Sequence, residues 1–178
     1  MLDLETTGLD PSDNAIIQIA AIRFDYERRE IGPIFCMSLD MPQGRYWDES
    51  TRTWWMSKLD VYNEIMADAR PAEEVFRAFQ DWSINTAPFA GEQRLWAKPS
   101  HFEFPMIQSY SRQFGIDLPF HYRNVVDLNS FTRGLANDPG RKPLDTQIPF
   151  TGKVHNAIDD VGHQIKVALM AKSMLGLT

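Results

Sequence analysis

Residues 15–24 read Ala-Ile-Ile-Gln-Ile-Ala-Ala-Ile-Arg-Phe. A β-branched, almost wholly apolar run of this kind predicts a largely buried strand. Such a strand commits the chain to a sheet whose faces are covered by other elements. Residues 31–39, Ile-Gly-Pro-Ile-Phe-Cys-Met-Ser-Leu, predict another strand, with Tyr26 to Glu30 as the polar connection. With the opening residues these make a three-strand meander. Met1 and Leu2 leave almost no strand before Asp3, so that first strand is either very short or begins before Met1.

Helical signals follow. Ser50 is placed to cap a segment holding Trp54, Trp55 and Met56, and residues 60–69 continue with Val61, Ile65 and Met66 at helical spacing. Pro71 suits a first helical position, followed by Glu73 and Glu74 in the dipole-favoured first turn. Arg94 to Ala97 predicts a short strand, Ser100 to Phe114 a helix capped by Ser100 and ended by Gly115. Asn124 to Val126 predicts a further strand and Leu128 to Leu135 a helix. Residues 137–153 read as a surface loop, and Ala157 to Leu175 as a last helix with Ile158, Val161, Ile165, Ala168 and Leu169 on one face. The order predicts an α/β fold: a central mixed five-stranded sheet with an antiparallel three-strand meander and flanking helices. One domain, residues 1–178, accommodates all of it.

Composition narrows the function. The net charge of −6 removes the electrostatic footprint of a protein that binds nucleic acid simply by tracking phosphates. It is compatible with a nuclease, whose carboxylates bind a metal that in turn meets the phosphate. No apolar run approaches the roughly 20 residues of a membrane span. The single cysteine, Cys36, rules out an intrachain disulfide and fits a reducing cytoplasm.

Three motifs carry chemistry. In Asp3-Leu4-Glu5-Thr6-Thr7-Gly8-Leu9-Asp10, Asp3 and Glu5 lie two apart on a strand and so project from one face. Adjacent carboxylates repel unless a cation lies between them, and all-oxygen ligands suit Mg²⁺ or Mn²⁺. Thr6 to Gly8 then turns the chain, offering backbone N–H groups to a substrate oxygen. In His155-Asn156-Ala157-Ile158-Asp159-Asp160, Asp160 falls in the first turn of the last helix, and His155 precedes it on the loop. A histidine titrating near neutrality can take a proton from water. In Trp96-Ala97-Lys98-Pro99-Ser100-His101-Phe102-Glu103, a short strand feeds a helix whose first turn carries Glu103. Read singly, each motif also describes an ordinary strand end or helix start.

Taken together, the motifs resemble the DnaQ-like exonucleases of the DEDDh family, which have an RNase H-like fold. Asp3-Leu4-Glu5-Thr6-Thr7-Gly8 is similar to that family's first motif, and His155 with Asp160 to its third. Trp96 to Glu103, the segment from His155 to Asp160, and Gln164 resemble a bacterial and phage exoribonuclease-like subgroup. The family usually has Phe-Asp where this chain has Phe102-Glu103, one methylene or about 1.5 Å longer.

The resemblance implies a 3′-to-5′ exonuclease acting on single-stranded DNA or RNA and releasing nucleoside 5′-monophosphates. Asp3 would bridge two Mg²⁺ ions, with Mn²⁺ as a substitute, Glu5 and Asp160 would complete the first site, and Glu103 would serve the second, directly or through water. His155 would be the general base. The backbone around Thr6 would meet the terminal 3′-hydroxyl, Leu9 the last base, and Lys98 or loop cations a phosphate. A homodimer is a further expectation. Two alternatives share the fold: a catalytically impaired nucleic-acid-binding relative, and an endonuclease cutting internally.

Overall fold

The structure is a computed structural model that describes residues 1–87 and 93–177. Three antiparallel strands open it: β1 (Leu2–Thr6), β2 (Ile16–Asp25) and β3 (Glu30–Ser38), with β2 in the middle. Helices α1 (Glu49–Met56), α2 (Leu59–Met66) and α3 (Ala72–Asn85) follow. Then come β4 (Leu95–Ala97), α4 (Ser100–Phe114), β5 (Val125–Asp127), α5 (Leu128–Leu135) and α6 (Ala157–Met174). Strands β4 and β5 pair in parallel, and β4 packs beside β1. All five expected strands form, but their ladder bonds fall into a three-stranded and a two-stranded group. Strand β4, three residues long, has its ladder with β5.

The buried run of β2 explains the layering. Successive strand residues point to opposite faces. Ile19 and Ala21 face a cluster with Val75, Phe76 and Phe79 of α3 and Met106, Ile107 and Tyr110 of α4. Ala20 and Ile22 face the other side, against Leu128 of α5 and Val161, Ile165 and Ala168 of α6. Ile17 meets Trp55 and Ile65 of α1 and α2 in a third cluster.

Two expected caps differ. Asp48, rather than Ser50, caps α1: its carboxylate accepts the Thr51 N–H at 2.8 Å, and the Ser50 hydroxyl donates to the same oxygen. A carboxylate is the stronger acceptor at a helix N-terminus. Ser100 begins α4 instead of capping it, and its N–H donates to Asp127 Oδ2 at 3.0 Å. Gly115 ends α4 in the left-handed conformation (φ 63°), as expected. The 137–153 loop contains a short 3₁₀ turn, Asp145–Gln147, anchored by buried Leu144.

One buried polar knot supports the site from beneath. The Tyr110 hydroxyl accepts the Ile16 N–H at 2.8 Å, and the Arg45 guanidinium lies 4.6 Å from the Tyr110 ring centre. Arg45 also donates to the Pro11 and Asn14 carbonyls and to Ser109 Oγ. Tyr110→Phe strands the buried Ile16 N–H and is expected to cost about 1–3 kcal/mol. At roughly 2–4 °C per kcal/mol for a chain of this size, a thermal melt will show it. A melt equal to wild type would mean that this hydrogen bond contributes nothing.

Candidate active site

Asp3 and Glu5 lie two residues apart on one face of β1, both nearly buried. Asp160, in the first turn of α6, meets them, and ligand oxygens of the three residues lie within 4.8 Å of one another. Two glutamines set this meeting. Gln18 on β2 accepts the Ala157 N–H at 3.0 Å, which pins the start of α6 to the sheet. Gln164, one turn beyond Asp160, donates to Asp3 Oδ1 at 2.7 Å.

Glu103 enters from the first turn of α4, 3% exposed, and Glu103 Oε2 is buried with no hydrogen-bond partner. The longer side chain therefore still reaches the interior, beside the other carboxylates. Their crowding shows in their proton affinities. Burial, then the Asp160 charge, pushes Asp3 up to about 8, against the Gln164 hydrogen bond and the Lys98 charge. Burial, then Asp3 and Asp160, pushes Glu5 up to about 9. Burial, then Asp3 and Glu5, holds Glu103 well above the ordinary carboxylate range, and burial raises Asp160. Asp3, Glu5 and Asp160, this close together, form a set that a divalent cation would satisfy; Glu103, with its orphaned oxygen, lies outside the 4.8 Å group.

His155 stands on the loop before α6 with φ 67°, and its N–H donates to Asp160 Oδ2 at 3.0 Å. Burial, then the Lys58 charge, lowers its imidazole below 6.5 and so favours the neutral, proton-accepting form.

The turn after β1 is braced on several sides. The Thr6 carbonyl accepts the Trp55 indole N–H at 3.0 Å, and the Thr6 hydroxyl donates to the Gly8 carbonyl at 2.8 Å. A Cβ on Gly8 would lie 2.3 Å from Asn14 Oδ1, an atom that accepts the Asp10 N–H. Only glycine fits there. Leu9 projects from this turn, 77% exposed.

Lys98 is half-buried and ion-paired with Asp145 of the 3₁₀ turn. Asp127 caps α5 through the Ser130 N–H and also accepts from Ser100, a structural assignment. His163 faces the loop, with Nε2 3.2 Å from the Asp145 carbonyl. Lys153 pairs with Glu64 on the surface. The sequence reading did not single out Gln18, yet it carried a signal. An amide inside an otherwise apolar strand needs a buried partner.

Compared with known proteins, residues 1–171 match the family described as 3′-5′ exoribonuclease Rv2179c-like domain. The chain belongs to this family. That family makes it a 3′-5′ exonuclease domain, and its fold is RNase H-like. No curated protein matches the sequence. Solved structures similar to this exonuclease domain include cell-death related nuclease 4 (CRN-4), at 18% identity and TM-score 0.74, covering 97% of this chain and 62% of that one. The nuclease domain of 3′hExo, a DEDDh family member bound to rAMP, aligns at 14% identity and TM-score 0.74, covering 99% of this chain and 92% of that one. S. pombe Pop2p in its Mg²⁺- and Mn²⁺-bound form aligns at 12% identity and TM-score 0.66, covering 97% and 81%. The exonuclease domain thus spans less than two thirds of the CRN-4 chain. Among its described residues, no helix is long and apolar enough to cross a membrane.

Proposed function

We propose that this domain removes nucleotides one at a time from the 3′ end of single-stranded RNA, using two Mg²⁺ ions. The observation that carries the reading is the convergence of Asp3, Glu5 and Asp160, with His155 tied to Asp160. The family's description as an exoribonuclease supports RNA, and the rAMP bound by 3′hExo is in keeping with it. The metal-bound form of Pop2p supports the choice of cation.

Asp3, Glu5 and Asp160 would hold one ion, and Asp3 with Glu103 the other. When bound, divalent ions supply an activated water and neutralise charge developing on the attacking and leaving oxygens. His155 Nδ1 or Nε2 takes the water's proton as the new P–O bond forms. The bond from phosphorus to the upstream 3′-oxygen breaks, that oxygen takes a proton from solvent, and a nucleoside 5′-monophosphate leaves. The backbone of the Thr6–Gly8 turn fixes the terminal 3′-hydroxyl, and exposed Leu9 packs on the last base. Lys98, shared with Asp145, brings positive charge towards the phosphate.

The test uses 3′-labelled and 5′-labelled single strands, RNA beside DNA, with Mg²⁺, Mn²⁺ or chelator. The expected result is metal-dependent release of mononucleotides from the 3′ label, faster on RNA. Internal oligomers as first products would point to an endonuclease. A folded protein inactive with either metal would point to a binding relative.

A further inference from the structure

This inference rests on the assignment of His155 as general base. Such a base needs its ring held in one orientation, a task that usually falls to a hydrogen-bonded third group. Among the described residues none hydrogen-bonds the His155 ring, although its backbone N–H donates to Asp160. The backbone there is left-handed, a region in which residues other than glycine are uncommon. The ring is instead met by Trp54 of α1, with centroids 4.6 Å apart and planes at 87°. Edge-to-face packing has a preferred geometry, so it can set the plane of a ring that no hydrogen bond fixes.

Trp54 is itself held. It lies edge-to-face with Trp55, centroids 4.9 Å apart, and the Lys58 ammonium sits 5.3 Å from its ring centre. Trp55 is buried and bonded to the Thr6 carbonyl. The adjacent tryptophans therefore link the turn after β1 to the histidine loop before α6. We propose that Trp54 is the positioning residue of the general base, setting the imidazole plane from α1 in place of a hydrogen-bonded partner.

Because Trp54 is 37% exposed, it also has the surface to stack on a base. The two roles leave different kinetic signatures. Positioning acts on the chemical step, whereas uniform substrate binding acts on KM. Trp54→Ala and Trp54→Phe are made in the full chain, and both parameters are measured on a single-stranded RNA oligomer at saturating Mg²⁺. Trp54→Ala is expected to lower kcat by on the order of 10–10²-fold, the scale of a small misplacement, with KM unchanged. Trp54→Phe is expected to recover most of the loss. In a His155→Asn background, Trp54→Ala should have no further effect, because its action runs through the imidazole.

A raised KM at constant kcat would overturn the inference in favour of a base-stacking surface. So would a loss that adds in full to that of His155→Asn, the mark of a general effect on the fold. An active wild type indifferent to Trp54→Ala overturns this inference alone. A wild type that releases no mononucleotide overturns the exonuclease reading and this inference with it.

Discussion

Asp3→Asn is expected to abolish detectable exonuclease activity while making the metal-free protein melt at a higher temperature. Asp3 lies in one carboxylate cluster with Glu5 and Asp160, and the charges of Asp3 and Glu5 act on Glu103 of α4. Losing about 4 kcal/mol of charge stabilisation in the transition state lowers the rate on the order of 10³-fold. The stability change has the opposite sign. Burial and neighbouring charge raise Asp3 to about 8 and Glu5 to about 9 in the fold. The metal-free fold therefore retains protons that the unfolded chain releases near pH 4, and it loses stability as the pH climbs towards 8 and 9. Asparagine removes one of the buried charges and keeps an oxygen to accept from Gln164.

Metal addition completes the prediction. At pH 8, Mg²⁺ or Mn²⁺ at a hundred times its Kd should stabilise wild type by about 2.7 kcal/mol. That is roughly 5–10 °C of melting temperature for a chain of this size. The shift should shrink at pH 5, where the carboxyls are protonated, and in Asp3→Asn at either pH. Calorimetry at both pH values, with and without chelator, reads all of these. A metal-free Asp3→Asn protein that melts below wild type at pH 8 would show that the carboxylates do not strain the fold.

His155→Asn is expected to lower kcat about 10²–10⁴-fold, the usual contribution of a positioned base, while leaving the metal-induced melting shift intact. Asparagine suits this test because it tolerates the left-handed backbone at φ 67° and cannot serve as a base at neutral pH. The backbone N–H that Asp160 accepts also survives. Since the imidazole is held below 6.5, the acid limb of the wild-type kcat profile, measured with Mg²⁺ kept saturating at each pH, should fall below that pH and be absent from the variant. Activity within a few-fold of wild type would remove His155 from the reaction.

Where the sequence was legible, the signal was periodic or terminal. The apolar run became β2 and the Leu128 to Leu135 segment became α5. Strand geometry puts Asp3 and Glu5 on one face and the helix start puts Asp160 in a first turn, but only the three motifs together, through their resemblance to a family, marked these residues as a site. What stayed illegible depends on packing between distant segments. Gln18 and Ala157 lie 139 residues apart, and Asp3 and Gln164 lie 161 apart. No local pattern joins them. The tryptophan pair shows the same limit. Neighbouring residues on a helix point about 100° apart, so at most one of the two rings faces the core squarely; Trp55 does, but nothing local says that Trp54 rests on His155. Lys98 looked free for phosphate, and only the fold brings Asp145 to it.

The docking of α6 onto the first two strands has a bearing on biosynthesis. A nascent chain that has emerged only as far as Val154 already carries Asp3, Glu5 and Glu103 but lacks Asp160, Gln164 and the histidine. The sheet can begin to form around β2, yet the residues that complete the cluster come from far along the chain. A partly synthesised chain can therefore have its sheet without the completed carboxylate cluster, which assembles only once α6 has been made and has docked on β1 and β2.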